Sequence, residues 1–190
     1  MQDLDDNERL ERWRRGDANG LRELVDHYRR PLFGFILRMT EGRDDADDIF
    51  QEVWFRAIRG LGRYRDRHFL SWLFRITHNI IIDRSRRRKP EVSLDDETGD
   101  QIQFEAASTH PSPAEVLQDR DLHRRIGQAV ADLPPEQREV FLMRMDGELP
   151  FKEIARIQKT SINTALARMS YAQDKLRKAL EDDYALLTRR

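Results

Sequence analysis

The sequence predicts an all-α protein: two small helical domains joined by a flexible acidic linker. Three observations carry that reading. Apolar residues recur at threes and fours along nearly all of the 190 residues, with no strand-like alternation. Gly and Pro punctuate the periodic runs at their boundaries. Charge divides the chain in three: residues 1–90 hold 20 Lys and Arg against 16 Asp and Glu, residues 91–118 hold seven acids and no cation, and residues 119–190 hold 14 cations against 12 acids. The net charge of −1 therefore hides two basic pieces flanking an acidic connector. Domain limits follow at 1–90, 91–113 and 114–190.

Composition excludes several function classes. With 38% hydrophobic and 36% charged residues the chain is too polar to span a membrane, and no stretch approaches the roughly 20 apolar residues of a transmembrane helix. The start, Met1-Gln2-Asp3-Leu4-Asp5-Asp6, lacks the basic and apolar parts of a secretory signal, so a cytoplasmic protein with no membrane insertion is expected. There is no cysteine, which removes disulfides, thiol catalysis and thiolate metal sites, and the five histidines (27, 68, 78, 110, 123) lack metal-ligand spacing. No metal and no cofactor are expected. Without a phosphate-binding Gly loop or a nucleophile beside a base, an enzyme is not expected either.

Taken in order, helices are expected near 6–14, 18–29, 31–40, 44–61 and 67–88 in the first piece, broken at Gly16-Asp17, Pro31, Glu41-Gly42 and Gly62, with Asp17 as an N-cap. The connector from Glu91 to Gln118 combines Asp95-Asp96-Glu97, Gly99 and Pro111-Ser112-Pro113 and has little helical periodicity. Its residues 91–113 offer too few apolar positions to offset an ordering cost of about 1–2 kcal/mol per residue, so a disordered tether is expected, with partners deciding how the two domains sit. In the second piece, helices are expected near 114–131, 135–145, 151–158 and 161–180, with Pro134-Pro135 opening one and Gly147 closing it.

Three segments suggest chemistry. Along Asp44 to Leu61, Ile49, Val53, Trp54, Ala57, Ile58 and Leu61 form one side of a helix, and Asp45, Asp48, Gln51 and Glu52 gather beside it as an acidic patch. A solvated face with acids in its first turn has the same look. In the next helix Phe69, Trp72, Leu73, Ile76 and Ile80 form a buried stripe, leaving Arg75, Asn79, Arg84, Arg86, Arg87, Arg88 and Lys89 for other work. A helix dipole favours C-terminal cations, but this density exceeds what one dipole needs and suits phosphate contacts, with Asn79 able to pair with an exposed base. Finally, residues 150–169 read as helix, tight turn, helix, with Ile154, Ala155, Ile162, Ala165 and Met169 packing the pair together. Thr164, Arg168, Tyr171 and Lys175 lie opposite that core side, where a helix-turn-helix would meet a major groove, although any amphipathic hairpin divides its faces this way.

Taken together, these segments resemble the bacterial extracytoplasmic-function sigma factors of the sigma-70 superfamily. The resemblance rests on Asp48-Ile49-Phe50-Gln51-Glu52, on Trp72-Leu73-Phe74-Arg75-Ile76 with Asn79 and Asp83-Arg84, on Leu133-Pro134-Pro135-Glu136-Gln137-Arg138, and on Glu153-Ile154-Ala155 with Thr164 and Arg168. It implies a region 2 helical bundle and a region 4 helix-turn-helix, and a transcription initiation factor that brings core RNA polymerase to promoters. By position it implies that Asp48, Gln51 and Glu52 dock on the beta-prime clamp and that Tyr64, Arg65, His68 and Phe69 belong to the loop capturing a flipped base of the minus-ten element. Arg75, Asn79, Arg84, Arg86, Arg87 and Arg88 then face that element, and Ser161, Asn163, Thr164, Arg168, Tyr171 and Lys175 face the minus-thirty-five element. Implied partners are the polymerase core, through its beta-prime clamp and beta flap, promoter DNA and an anti-sigma factor.

The sequence departs from the family where Lys159 takes the place of the usual turn glycine, at roughly 1 kcal/mol if that residue is left-handed. It departs again where Leu166, Ala167, Tyr171 and Gln173 replace customary basic or hydroxyl positions. The competing reading is a sigma-like mimic that sequesters an anti-sigma protein without directing transcription. The acidic patch and the Arg84 to Lys89 run argue against it, since a decoy needs neither. An ordinary helix-turn-helix regulator leaves the first piece unexplained.

Overall fold

The structure is a computed structural model in which residues 2–40, 42–65, 68–88 and 113–181 are described, with side chains placed at 6–40, 42–65, 68–87 and 122–181. All regular structure among the described residues is helical, in two units. The first holds α1 (Gln2–Arg14), α2 (Ala18–Met39), α3 (Arg43–Gly60), a 3-10 turn (Leu61–Arg63) and α4 (Phe69–Arg88); the second holds α5 (Pro113–Ala131), α6 (Pro135–Met145), α7 (Phe151–Ile157) and α8 (Ile162–Ala179). Of the acidic connector, residues 91–112 lie outside the described residues, and residues 113–118, expected to belong to it, form the first turns of α5.

Local chemistry sets the helix ends. Asp17 caps α2 by accepting from the Asn19 N–H at 2.9 Å, and that bond, with help from the Arg12 guanidinium, holds its carboxyl below the ordinary range. Arg12 also reaches Glu23 at 2.9 Å, so one cation ties α1 to the first turns of α2. The two helices cross closely because residue 20 is glycine: a Cβ there would lie 2.4 Å from the Arg9 carbonyl oxygen. Ser161 caps α8 by accepting from the Thr164 N–H at 3.0 Å.

Two expectations are corrected. Pro31 does not divide 18–40 into two helices; α2 runs through it. The proline removes one backbone donor, but Leu24, Tyr28, Leu32, Phe35 and Ile36 form one buried stripe on both sides of it, and burying that stripe as a unit outweighs a lost hydrogen bond. Ile162, expected on the core side of α8, is 45% exposed at the first position of that helix.

The core of the first unit is aromatic. Phe69 sits among Tyr28, Tyr64 and Trp72, with ring centroids 5.3–5.5 Å away, and Phe35 meets Phe74 edge to face at 4.7 Å. Burial, together with the neighbouring Asp6 carboxylate, raises the Tyr28 hydroxyl far above its usual range, so it stays a hydrogen-bond donor to Asp6. In the second unit, Val130, Leu133, Val140, Leu142, Met143, Ile154, Ala165, Met169 and Ala172 form the core.

The units are not merely tethered: they pack directly, α2 against α6 and α4 against α7. Helix α4 explains why. Beside its expected stripe, Phe74 and Thr77 are fully buried and His78 and Ile81 partly so, which leaves a second apolar face that a solvated helix would not carry. The second unit covers it. Gly147 makes the approach possible, since a Cβ there would lie 2.5 Å from the Phe74 ring.

The helix-turn-helix carries strain. Lys159 is left-handed (φ 53), as is Glu148 (φ 52) before α7. Replacing Lys159 by Gly relieves the Cβ clash, so the urea midpoint of Lys159→Gly is expected to rise, corresponding to a gain in unfolding free energy of up to about 1 kcal/mol. An unchanged or lower midpoint would show that the turn is not strained at this residue.

Candidate functional site

Helices α3 and α4 build the first surface together. On α3, Asp48 and Gln51 are exposed, while Asp45 and Glu52 turn toward α4. There Arg84 donates to Asp45 Oδ1 at 2.7 Å and to Glu52 Oε2 at 3.1 Å. Arg56 approaches the other Glu52 oxygen at 2.5 Å. Burial pushes the Glu52 carboxyl up, but the Arg84 and Arg56 hydrogen bonds outweigh it and hold the group below its ordinary range. The Arg84 guanidinium, disfavoured by burial, is raised in return by Glu52 and Asp45. This patch is a bridged ion network, with Asp48 as its freely presented acid.

Arg84 therefore does not join the face of α4 expected to meet DNA. At about 100° per residue it lies roughly 140° around the helix from Asn79, on the side of Leu73 and Ile80 that packs on α3. Arg75, Asn79, Ile82 and Arg86, spaced four, three and four apart, share the opposite face, and Ile82 is 37% exposed there. Arg86 and Arg87 are exposed; the Arg88 side chain and Lys89 lie outside what is described.

The loop before α4 splits into floor and rim. Tyr64 and Phe69 are core residues, 7% and 2% exposed, so in this conformation their ring faces are not open to a base as the flipped-base role requires. Arg65 and His68 are exposed. Arg14 from α1 donates to the Tyr64 carbonyl at 3.3 Å and Arg65 donates to it at 2.8 Å, which pins the loop beside a depression of about 430 Å³ lined by Asn7, Leu10, Arg14, Gly62, Tyr64 and Arg65.

On α8 the expected stripe is present: Thr164, Tyr171 and Lys175 are exposed along one side, with Ser161 and Asn163 exposed at the helix start. Arg168 is the exception. It donates to Gln158 Oε1 at 2.7 Å; Gln158 Nε2 donates to Glu139 Oε2 at 2.6 Å; and Glu139 Oε1 meets His78 Nδ1 of α4 at 2.6 Å. A chain of four side chains thus joins the two candidate DNA surfaces across a cleft of about 910 Å³ bordered by Asn79, Arg84, Arg86, Lys159 and Arg168. His78, Glu139 and Gln158 were not singled out in the sequence. The available signal was apolar residues on every side of α4, which marks a helix covered twice.

An acidic helix bridged to a helix with exposed arginines, together with a capped helix-turn-helix, is a two-part helical architecture of the kind the sequence resembles. Comparison with known proteins sharpens this. Residues 24–91 match the family described as Sigma-70 region 2 and residues 123–172 match Sigma-70, region 4. The ECF RNA polymerase sigma factor SigW of Bacillus subtilis is 29% identical over 179 residues, covering 92% of this chain and 96% of that one. The RNA polymerase sigma-H factor of Pseudomonas aeruginosa is 28% identical, over 93% and 94%. The sigma factor RpoE of Bartonella quintana, solved in complex with the anti-sigma factor NepR, shares the fold at a TM-score of 0.66 and 22% identity, over 86% of this chain and 98% of that one. The chain belongs to the sigma-70 superfamily as an ECF-type sigma factor, a transcription initiation factor and not an enzyme.

Proposed function

We propose that within this sigma factor residues 1–90 act as region 2, 91–113 as the linker and 114–190 as region 4, and that the molecule works in the cytoplasm beside core polymerase. Asp48, Gln51 and Glu52 dock on the beta-prime clamp. His68 and Arg65 present the rim of the flipped-base loop, which Tyr64 and Phe69 support from beneath. Arg75, Asn79, Arg86, Arg87 and Arg88 face the minus-ten element, with Arg84 fixing α4 to α3. Ser161, Asn163, Thr164, Arg168, Tyr171 and Lys175 face the minus-thirty-five element while region 4 rests on the beta flap. The observation that carries this reading is the Glu52–Arg84–Asp45 bridge: it joins the polymerase-facing helix to the DNA-facing helix, so docking on polymerase sets the orientation in which α4 meets DNA. The likeness to an RpoE solved with an anti-sigma factor supports an anti-sigma partner here too.

The division of labour on α4 is testable with the reconstituted holoenzyme. Replacing Arg86, Arg87 and Arg88 by Ala should weaken binding to all promoter sequences alike and lower the salt slope by up to about three. Asn79→Ala should instead relax discrimination at one minus-ten position by about 1–3 kcal/mol. An Asn79→Ala holoenzyme with its base preference intact would remove Asn79 from base reading.

A further inference from the structure

The first three turns of α8 present an apolar surface where basic or hydroxyl side chains are customary. Their buried row is Ala165, Met169 and Ala172. At about 100° per residue, Ala167 lies roughly opposite that row, with Leu166 and Thr164 on its two flanks. Ala167 is exposed, as are Leu166 (45%), Ile162 (45%) and Tyr171 (61%). These side chains stand four apart in two adjacent ridges, Ile162 with Leu166 and Ala167 with Tyr171. Adjacent ridges make a patch, and an apolar patch on an otherwise polar surface marks a contact site.

The polar groups beside these ridges are already engaged within the protein. Ser161 accepts from the Thr164 N–H at 3.0 Å and its hydroxyl lies 2.8 Å from that of Thr164, so both hydroxyls serve the helix cap. Arg168, the sole cation from Ile162 to Ala172, donates to Gln158 Oε1 at 2.7 Å. Further cations stand beyond these turns, at Lys175, Arg177 and Lys178. In a helix-turn-helix the N-terminal residues of the second helix meet base edges, so the later cations are placed for phosphates and the apolar ridges for bases. Among the four bases, the major groove offers one apolar feature, the C5-methyl group of thymine.

We propose that Leu166 and Ala167, with Ile162 beside them, are specificity-determining residues that read thymine C5-methyl groups in the minus-thirty-five element. The proposal rests on α8 being the reader of that element. It makes the factor select a thymine-bearing site by apolar contact, where an arginine at the same position would select guanine. Burying one methyl group is worth about fourfold in affinity, the equivalent of about 0.8 kcal/mol. Such a contact neutralises no phosphate, so it adds nothing to the salt dependence of binding; that part belongs to the cations further along α8.

Uracil in place of thymine removes the methyl group and nothing else, which makes the test direct. Holoenzyme reconstituted from the full chain and core polymerase first selects its sites from a duplex library randomised across both promoter elements. The selected duplex is then synthesised with deoxyuridine at each minus-thirty-five thymine of either strand in turn. At a contacted position the exchange should weaken holoenzyme binding about fourfold without changing the salt slope. Leu166→Ala should bind the thymine and uracil duplexes alike at one such position, with its circular dichroism and thermal midpoint unchanged because the side chain is exposed. Leu166→Arg should shift the selected base there toward guanine. A selected element without thymine, equal binding of thymine and uracil duplexes by the unmodified factor, or full methyl dependence in both Leu166→Ala and Ala167→Gly would each overturn the proposal. So would a Leu166→Ala factor that loses affinity for core polymerase while keeping its thymine preference, since the ridge would then be a protein contact. These outcomes leave α8 as the minus-thirty-five reader wherever upstream bases are enriched; no enrichment upstream of the minus-ten element would fault that assignment itself.

Discussion

Reversing Asp48 and Glu52 to lysine should abolish association with core polymerase while leaving the fold intact. The two residues sit one helical turn apart on α3, so the double change puts two cations where the clamp is expected to meet two acids. Like charges brought together at an interface cost several kcal/mol, which converts to a loss of more than about 100-fold in affinity. The single variants should differ in kind. Asp48 is exposed, and Asp48→Lys acts on docking alone. Glu52→Lys also removes the acceptor of Arg84 and Arg56, and so loosens α4 on α3 as well as the dock. Partly exposed ion pairs contribute about 0–1 kcal/mol, so Asp48→Lys should hardly move the thermal midpoint, whereas Glu52→Lys, which sets a third cation beside Arg84 and Arg56, should lower it while the helices remain. Titration of labelled factor into core enzyme, with circular dichroism as the control, gives the answer. An unchanged dissociation constant in the double variant would place the polymerase-binding surface elsewhere.

Most of the fold was legible in the sequence because periodic burial determines a helix more strongly than any single residue disrupts it. The periodic runs in both pieces became helices, and even Pro31 did not interrupt its run. What the sequence hid was the partner of each face. Arg84 was grouped with the cations that follow it because they are neighbours in sequence, yet its angular position sets it over α3, where Asp45 and Glu52 wait. Tyr64 looks like a loop aromatic until the rings of Phe69 and Trp72 are seen against it, and Phe69, placed in the buried stripe by its spacing, is assigned to the loop only by the resemblance. The docking of the units was hidden for a related reason. A helix buried on two sides has no single stripe, and Phe74, Thr77 and Ile81 fall outside the stripe of Phe69, Trp72, Leu73, Ile76 and Ile80. The turn was readable in part: Lys159 stands where the resemblance places glycine, and it is left-handed, while the left-handed Glu148 had no such signal.

Phe69→Ala should be the most destabilising change in the loop region, and His68→Ala, one residue earlier, should leave stability nearly untouched. Phe69 is 2% exposed and enclosed by four aromatic rings, so truncation opens a cavity in the centre of region 2. Such truncations cost about 3–5 kcal/mol. For a chain of this size that lowers the thermal midpoint by roughly 6–20 °C. His68 is exposed, and its loss should stay within about 0.5 kcal/mol. The DNA readout should run the other way. Assayed well below the midpoint of both variants, Phe69→Ala should keep much of its base preference at the minus-ten element because the buried ring does not face a base. His68→Ala should blunt that preference because the imidazole stands at the rim. A Phe69→Ala protein of normal midpoint that had lost all minus-ten discrimination would show that the ring leaves the core to stack on a base. Loop opening, and not a rigid floor, would then be the route by which the factor captures DNA.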